Sequence, residues 1–400
     1  MQTVIDSFHA AAGKASFIRK MFEKGIELKR EFGEDAVCDF SLGNPDVPPP
    51  EAAREVLHRI ADESVRPLGL GYCPNAGIPS CREAIAGYLA KQQGVDLKGK
   101  DVVITVGAAS ALVDFFRATI DAGDEVVVPS PYFVEYGNYC GHFGGVLKPV
   151  PTREDFTLDV PAIASAINDR TRAIIINSPN NPTGTIYTRA ELEELAALVE
   201  KINAGREGRT RPLFILSDEP YRVFAYGGAE VPAVLPMTKY ALVLGSFSKT
   251  LSMAGERIGY IAVHPELSAA DGGALMTTLT LVNRTLGYVN APVIGQKLAA
   301  AICNETVDLE IYRRRHDLMA KVLTDAGIEF TMPRGAFYFF PKAPGGDDAK
   351  FVDALLEERI LAVPGAGFGR AGYFRLSCAV DEKIIARSAE GFKRTAEKFL

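Results

Sequence analysis

The chain has 400 residues, more than one compact core carries, and 47% of them are apolar, enough for two domains. Its net charge is −6, with 50 acidic residues interspersed among 44 basic ones, so it has no basic field for nucleic acid or an anionic membrane, and neither is expected as a partner. The six scattered cysteines show no C-x-x-C spacing and no Cys/His cluster, which reads as reduced thiols with no metal site. No run approaches the roughly eighteen apolar residues of a membrane span, and the start Met1-Gln-Thr-Val-Ile-Asp lacks a basic stretch followed by an apolar one, so a cytoplasmic enzyme or binding protein is expected.

Residues 1–13 have weak periodicity and read as an arm. From Ser16 to Arg30, the residues Phe17, Ile18, Met21, Phe22 and Ile26 fall on one helical face. A short strand over Val37–Leu42 runs into the polar turn Gly43-Asn44-Pro45-Asp46, which either brings backbone N–H groups to a ligand or simply leads onward. A helix near Glu51–Ala61 precedes the turn-rich Leu70–Gly77, where Tyr72 is either a packed aromatic or a phenol reaching a phosphate. A helix over Pro79–Gln93 follows. Val102–Ser110 reads as a buried strand, a small-residue turn at Gly107 and the start of a helix reaching about Ile120, a geometry that can hold an anion at a helix N-terminus.

Glu125–Pro129 is a strand leading to Ser130-Pro131-Tyr132-Phe133, where an aromatic can lie over a flat ligand ring or cap the core. Arg172–Asn177 is another strand, followed by Ser178–Gly184 and a helix from Thr188 to about Ile202. The polar, basic stretch Asn203–Pro212 reads as a solvated connection. Leu213–Ser217 is a further strand, ending in Asp218-Glu-Pro-Tyr221. Short continuous apolar strands alternating with amphipathic helices indicate a mostly parallel sheet covered on both faces. Ligands of such sheets bind at the strands' carboxyl ends, where the polar turns fall.

The apolar run Tyr240–Gly245 ends in Ser246-Phe-Ser248-Lys249. A lysine held at the carboxyl edge of a sheet can lose its proton and form a Schiff base with an aldehyde. Ser246, Ser248 and Arg257 beside it would suit a lysine-bound cofactor that carries a phosphate, and the plain alternative is a surface Ser-Lys turn. A buried carboxylate such as Asp218 can keep a ring nitrogen protonated, and Tyr221 and Asn181 can donate to a phenolic oxygen; a helix cap with a packed phenol is the alternative. Beyond this site, Arg257–Val263 returns as a strand, helices cover Pro292–Cys303 and Val307–Ala326, and strands fall at Gly335–Phe340, Ile360–Gly365 and Tyr373–Cys378.

Asn181-Pro-Thr-Gly, Asp218-x-x-Tyr221, Ser246-x-Ser-Lys249, Arg257, and Arg375 in Phe-Arg-Leu-Ser occur in that order. Taken together they resemble the class I aminotransferases of the aspartate aminotransferase fold, fold-type I enzymes that use pyridoxal 5'-phosphate, over the chain from about Ser16 onward. The expected fold class is α/β: a large domain (47–305) on a mostly parallel seven-stranded sheet covered by helices, and a smaller α+β domain built from both termini (1–46 and 306–400). The resemblance implies that Lys249 is the Schiff-base lysine and proton shuttle, that Asp218 pairs with the ring nitrogen, and that Tyr221 and Asn181 bond the ring oxygen. Phe133, or Tyr132 in its stead, stacks on the ring. The phosphate falls to Ser246, Ser248, Arg257, the backbone at Ala108 and Ala109, and Tyr72 of a partner subunit, while Arg375 with the Gly43 backbone and Asn181 takes the substrate α-carboxylate.

The implied activity is transfer of an α-amino group from an amino acid to a 2-oxo acid by a ping-pong mechanism, in a homodimer with composite active sites. The alternative is a C–S lyase or other β-eliminating enzyme on the same fold. Two positions depart from the pattern for dicarboxylic substrates: Ala109 stands where one bacterial subgroup has lysine, and Arg284 is one position out of register before Tyr288-Val-Asn290.

Overall fold

The computed structural model describes Thr3 and residues 17–399. The expected arm, Thr3 apart, and the first residue of the expected helix at Ser16 lie outside the described residues; from Phe17 the helix runs to Phe32. The strands in chain order are β1 (Cys38–Asp39), β2 (Val102–Thr105), β3 (Glu125–Ser130), β4 (Val146–Pro151), β5 (Thr171–Asn177), β6 (Phe214–Asp218), β7 (Ala241–Ser246), β8 (Gly259–Val263), β9 (Tyr338–Phe339), β10 (Ile360–Leu361), β11 (Val363–Pro364) and β12 (Phe374–Ser377).

Seven strands form one sheet in the order β2-β8-β7-β6-β5-β3-β4. β4, β3, β5, β6 and β7 run parallel, and β8 is antiparallel to both its neighbours. Val127, Ile174, Ile176, Ile215 and Val243 face one buried cluster, while Val126, Val128, Ile175, Leu216 and Leu244 face another. Both faces of the central strands are therefore dry, which is why these strands read as continuous apolar runs rather than alternating ones. β4 lies at the edge, partly exposed, and its two prolines and Lys148 hide it from a search for apolar runs.

Register places the chemistry. Asn177 at the end of β5 pairs with Asp218 at the end of β6, and Asp218 pairs with Leu244 two residues before Ser246. Ser246 and Thr105 both pair with Gly259, so β2 finishes at the same edge and delivers the helix Gly107–Thr119 beside β7.

A second core gathers Phe40, Tyr312, Met319, Phe337, Phe339, Phe351, Phe374, Ile385 and Phe392, drawn from both ends of the chain. Around it, β1 pairs with β10, and β11, β12 and β9 make an antiparallel sheet.

One expectation fails. The stretch Asn203–Pro212 is not a solvated connection throughout, because the helix Arg189–Arg206 continues into it and buries Asn203 and Arg206. Asn203 both donates to and accepts from the backbone of Leu213, and the Arg206 guanidinium donates to the carbonyls of Thr171 and Asn168. Polarity here signals groups that saturate backbone acceptors at the sheet's lower edge rather than groups that face water.

Candidate active site

β7 carries the chain through the core and ends in the one-turn helix Phe247–Thr250, which leaves Lys249 in a cavity of about 260 Å³. Burial, followed by the charges of Arg375 and Arg257, pulls the Lys249 amine down to about 8. Its Nζ donates to the carbonyl of Gly43, so the turn after β1 reaches the amine across the site.

One wall of the cavity is a nest of donors. Ala108 and Ala109 occupy the first turn of the helix Gly107–Thr119, whose leading N–H groups have no partner within the helix. Ser246, Ser248 and Arg257 line the same wall. Gly107 has φ +77°, and a Cβ there would stand 2.6 Å from Arg257 Nη2, so only glycine lets the guanidinium close on this helix start. These donors suit a doubly charged oxyanion such as a phosphate.

Asp218 lines the same cavity. The Tyr136 phenol donates to its Oδ2 at 2.6 Å, and its Oδ1 is buried with no protein partner. Burial pushes this carboxyl up to about 7, the Tyr136 bond pulls it down, and the neighbouring Glu219 charge raises it. Asn177 locks the strand end: its Nδ2 donates to the Asp218 carbonyl at 2.8 Å, and its Oδ1 accepts the Asn181 N–H at 2.7 Å. Tyr221 shares a 2.9 Å hydroxyl bond with Tyr338, and burial raises its phenol well above the usual range. Phe133 lines the cavity and Tyr132 does not; the Tyr132 N–H is held by the Phe368 carbonyl.

Arg375 lies on β12, 2% exposed, with its guanidinium between the rings of Tyr338 (4.8 Å) and Phe368 (4.7 Å). It donates to Asn181 Oδ1 at 3.1 Å and to the Ser41 carbonyl at 2.6 Å, and its Nε is buried without a partner. Gly43 packs so tightly on the Tyr338 hydroxyl that a side chain there would overlap it.

Lys249, Asp218, Tyr221, Asn181, Phe133, Ser246, Ser248, Arg257, Ala108 and Ala109 thus gather around one cavity, and Gly43 and Arg375 are bonded to its rim. Tyr72 stands apart. It is 95% exposed and lines a different cleft with Tyr288 and Asn290. Arg284 is exposed and does not line the cavity. Sequence reasoning missed Tyr136, Asn177, Tyr338 and Ser41. Asn177 carried a signal, since it closes an apolar strand four residues before Asn181. A cleft of about 660 Å³, lined by Arg189, Arg222 and Arg334, holds none of the expected residues.

Among the described residues no group of three His, Cys, Asp or Glu side chains is placed to hold a metal ion, and no helix is long and apolar enough to cross a membrane.

The model of one protein family, aminotransferase class I and II, matches residues 35–392. A probable aspartate/prephenate aminotransferase of Aquifex aeolicus is 34% identical over 388 residues, 94% of each chain. An amino transferase of Eubacterium rectale superposes with a TM-score of 0.94 at 36% identity, covering all of both chains. An aspartate aminotransferase of Thermus thermophilus, solved with maleate, gives 0.86 at 30% identity over 99% of this chain and 100% of that one.

Proposed function

The chain belongs to the class I and II aminotransferases and is an amino-group-transferring enzyme of that family, and from this premise we propose that the cavity at the ends of β5, β6 and β7 holds the family's cofactor, pyridoxal 5'-phosphate, on Lys249. All three relatives described above are transferases, so the β-eliminating alternative is not favoured.

The observation that carries the reading is the partnerless, buried Asp218 Oδ1 in the same cavity as a lysine amine held near 8 and a donor nest around Arg257. Acceptor, amine and anion site are the three attachments that a pyridine aldehyde phosphate requires. When bound, this group supplies an aldehyde for amines and a ring that draws electrons from the substrate α-carbon.

Each residue then has a task. Arg257, Ser246, Ser248 and the N–H groups of Ala108 and Ala109 would hold the phosphate. Asp218 Oδ1 would be the acceptor that favours a protonated ring nitrogen, Tyr221 and Asn181 would donate to the ring oxygen, and Phe133 would pack against the ring. Lys249, freed from its bond to the Gly43 carbonyl, takes the proton from the substrate α-carbon and returns it one position away. Arg375 binds the α-carboxylate as a bidentate fork, exchanging the Ser41 carbonyl for it, with Asn181 and the Gly43 backbone beside it.

With Ala109 in the cavity wall and Arg284 outside its own chain's cavity, neither of these two positions offers that cavity a cation for a second carboxylate, and the reading extends to substrates with apolar or aromatic side chains. The Aquifex and Thermus relatives are named for aspartate or prephenate. The reading also divides the chain into a small domain (1–46 with 306–400) and a large one (47–305), supported by the separate core around Phe337.

Tyr72, with the exposed apolar residues Val65, Leu68 and Leu70 just before it, supports a symmetric homodimer in which Tyr72 reaches the neighbouring phosphate; sedimentation of the native protein as a monomer would contradict this. A cytoplasmic location suits the six free thiols, and cell fractionation checks it. The direct test of the site is borohydride reduction of the native protein followed by peptide mapping. The cofactor should be fixed to Lys249, and fixation to another lysine contradicts the assignment.

A further inference from the structure

Tyr136 sits in the short helix Glu135–Gly141 and is completely buried. Its hydroxyl donates to Asp218 Oδ2 at 2.6 Å, and its ring stands edge-to-face on Phe133, with centroids 5.5 Å apart and planes at 81°. One side chain thus touches both the carboxylate and the aromatic that the cavity offers to a flat ring. Packing alone asks only for the ring. The hydroxyl has a specific consequence, because Tyr136 is the side-chain group that bonds the Asp218 carboxylate and leaves the other oxygen, Oδ1, without a partner in the wall of the cavity.

Resting on the reading of that cavity as a pyridoxal 5'-phosphate site, we propose that Tyr136 is a positioning residue: it fixes the rotation of the Asp218 carboxylate so that Oδ1 meets the ring nitrogen. The surroundings make the bond necessary. Asp218 has Glu219 as its neighbour in sequence, and the phenols of Tyr221, Tyr139 and Tyr260 lie close enough to sense its charge; among the described residues no ion pair includes Asp218. Burial and Glu219 both favour the protonated acid, and the Tyr136 hydrogen bond is the contribution that favours the carboxylate.

The test uses the full-length, cofactor-free protein and two probes, pyridoxamine 5'-phosphate and its 1-deaza analogue, in which C–H replaces the ring nitrogen; binding is followed by calorimetry. The wild-type chain should prefer the pyridine by about tenfold or more, the scale of one charge-assisted hydrogen bond. Tyr136→Phe keeps the ring on Phe133 and should lose most of that preference, with affinity for the deaza analogue changing less than about threefold. Equal weakening of both probes would show a merely structural Tyr136 and overturn the proposal. Should Tyr136→Phe fail to fold, Tyr136→His, which returns an N–H donor on a ring, should keep the preference, and a folded Tyr136→His without it would overturn the proposal as well. A wild-type chain with no preference would instead overturn the assignment of Asp218 to the ring nitrogen on which the proposal stands.

Discussion

The two charged ends of the cavity are built by opposite means. Asp218 is fixed by the sheet: β5 and β6 are in register at Asn177 and Asp218, Asn177 grips the Asp218 backbone, Tyr136 holds one oxygen, and the other has no protein partner. Arg375 is held from both sides, with one Nη on the carbonyl of Ser41 beside its own core and the other on Asn181, which follows β5 of the large sheet. The first end can meet a cationic ring without rearrangement. The second must exchange a protein acceptor for a substrate carboxylate. Changes at Asp218 should therefore act mainly on the rate of proton removal, and changes at Arg375 on the capture of substrate.

The largest effect is expected at the fixed end. Asp218→Ala should leave the phosphate nest intact yet lower kcat by about a thousandfold or more, because several kcal/mol of charge stabilisation is lost. Pre-steady-state loss of the substrate α-proton measures it, and a mutant with nearly normal kcat would erase the distinction between the two ends.

At the exchanging end, Arg375→Lys replaces a planar fork by a point charge and should cost about 2 to 4 kcal/mol in kcat/KM, alike for aspartate, phenylalanine and alanine. Because Arg284 is one position out of register for a distal cation and does not line its own chain's cavity, Arg284→Ala should leave the ratio of kcat/KM for aspartate to that for phenylalanine unchanged. An aspartate preference beyond about a hundredfold, roughly 2.7 kcal/mol, that vanished in Arg284→Ala would reveal Arg284 as a second, distal cation.

The smallest effect concerns stability. Burial raises the Asp218 carboxyl to about 7, well above the usual carboxylate range, so between about pH 4 and 7 the folded, cofactor-free chain holds a proton there that the unfolded chain has released. Stability should consequently fall as pH rises from about 4 to about 7 and level off above, by up to about 1.4 kcal/mol per pH unit for each such group. Asp114, also raised to about 7 by burial against the bond from Tyr288, contributes with the same sign. Urea unfolding of Asp218→Asn should show the fall reduced by about one proton relative to wild type, and an unchanged pH profile would mean that Asp218 is already ionised in the free protein.

The difference between the two ends also explains what the sequence revealed. Asp218 and Lys249 each follow an unbroken apolar strand, so their place at a carboxyl edge was readable from local pattern. The anion nest was readable for the same reason, since Gly107 interrupts the strand–helix join. The partners were not. Tyr136 meets Asp218 from 82 residues away, Gly43 meets Lys249 across 206, and Ser41 meets Arg375 across 334. Contacts of that span depend on how elements pack, which no window of residues contains. β4 escaped notice because an edge strand needs no continuous apolar run, and Arg206 was misread because a guanidinium can be buried when backbone carbonyls saturate it. Tyr136 lay within the very stretch that drew attention to Phe133, yet its hydroxyl acquires meaning only from the sheet end it touches.

Lys249 and Asp218 are proposed to serve one bound ring that stores an amino group. Single amino acids added to the native, cofactor-loaded protein, without any 2-oxo acid, test this most directly, with absorbance following the cofactor and the products assayed. The prediction is full conversion of the pyridoxal to the pyridoxamine form, with one equivalent of 2-oxo acid released per site and no ammonia. Ammonia and a 2-oxo acid formed repeatedly while the cofactor stays in its pyridoxal form would contradict it.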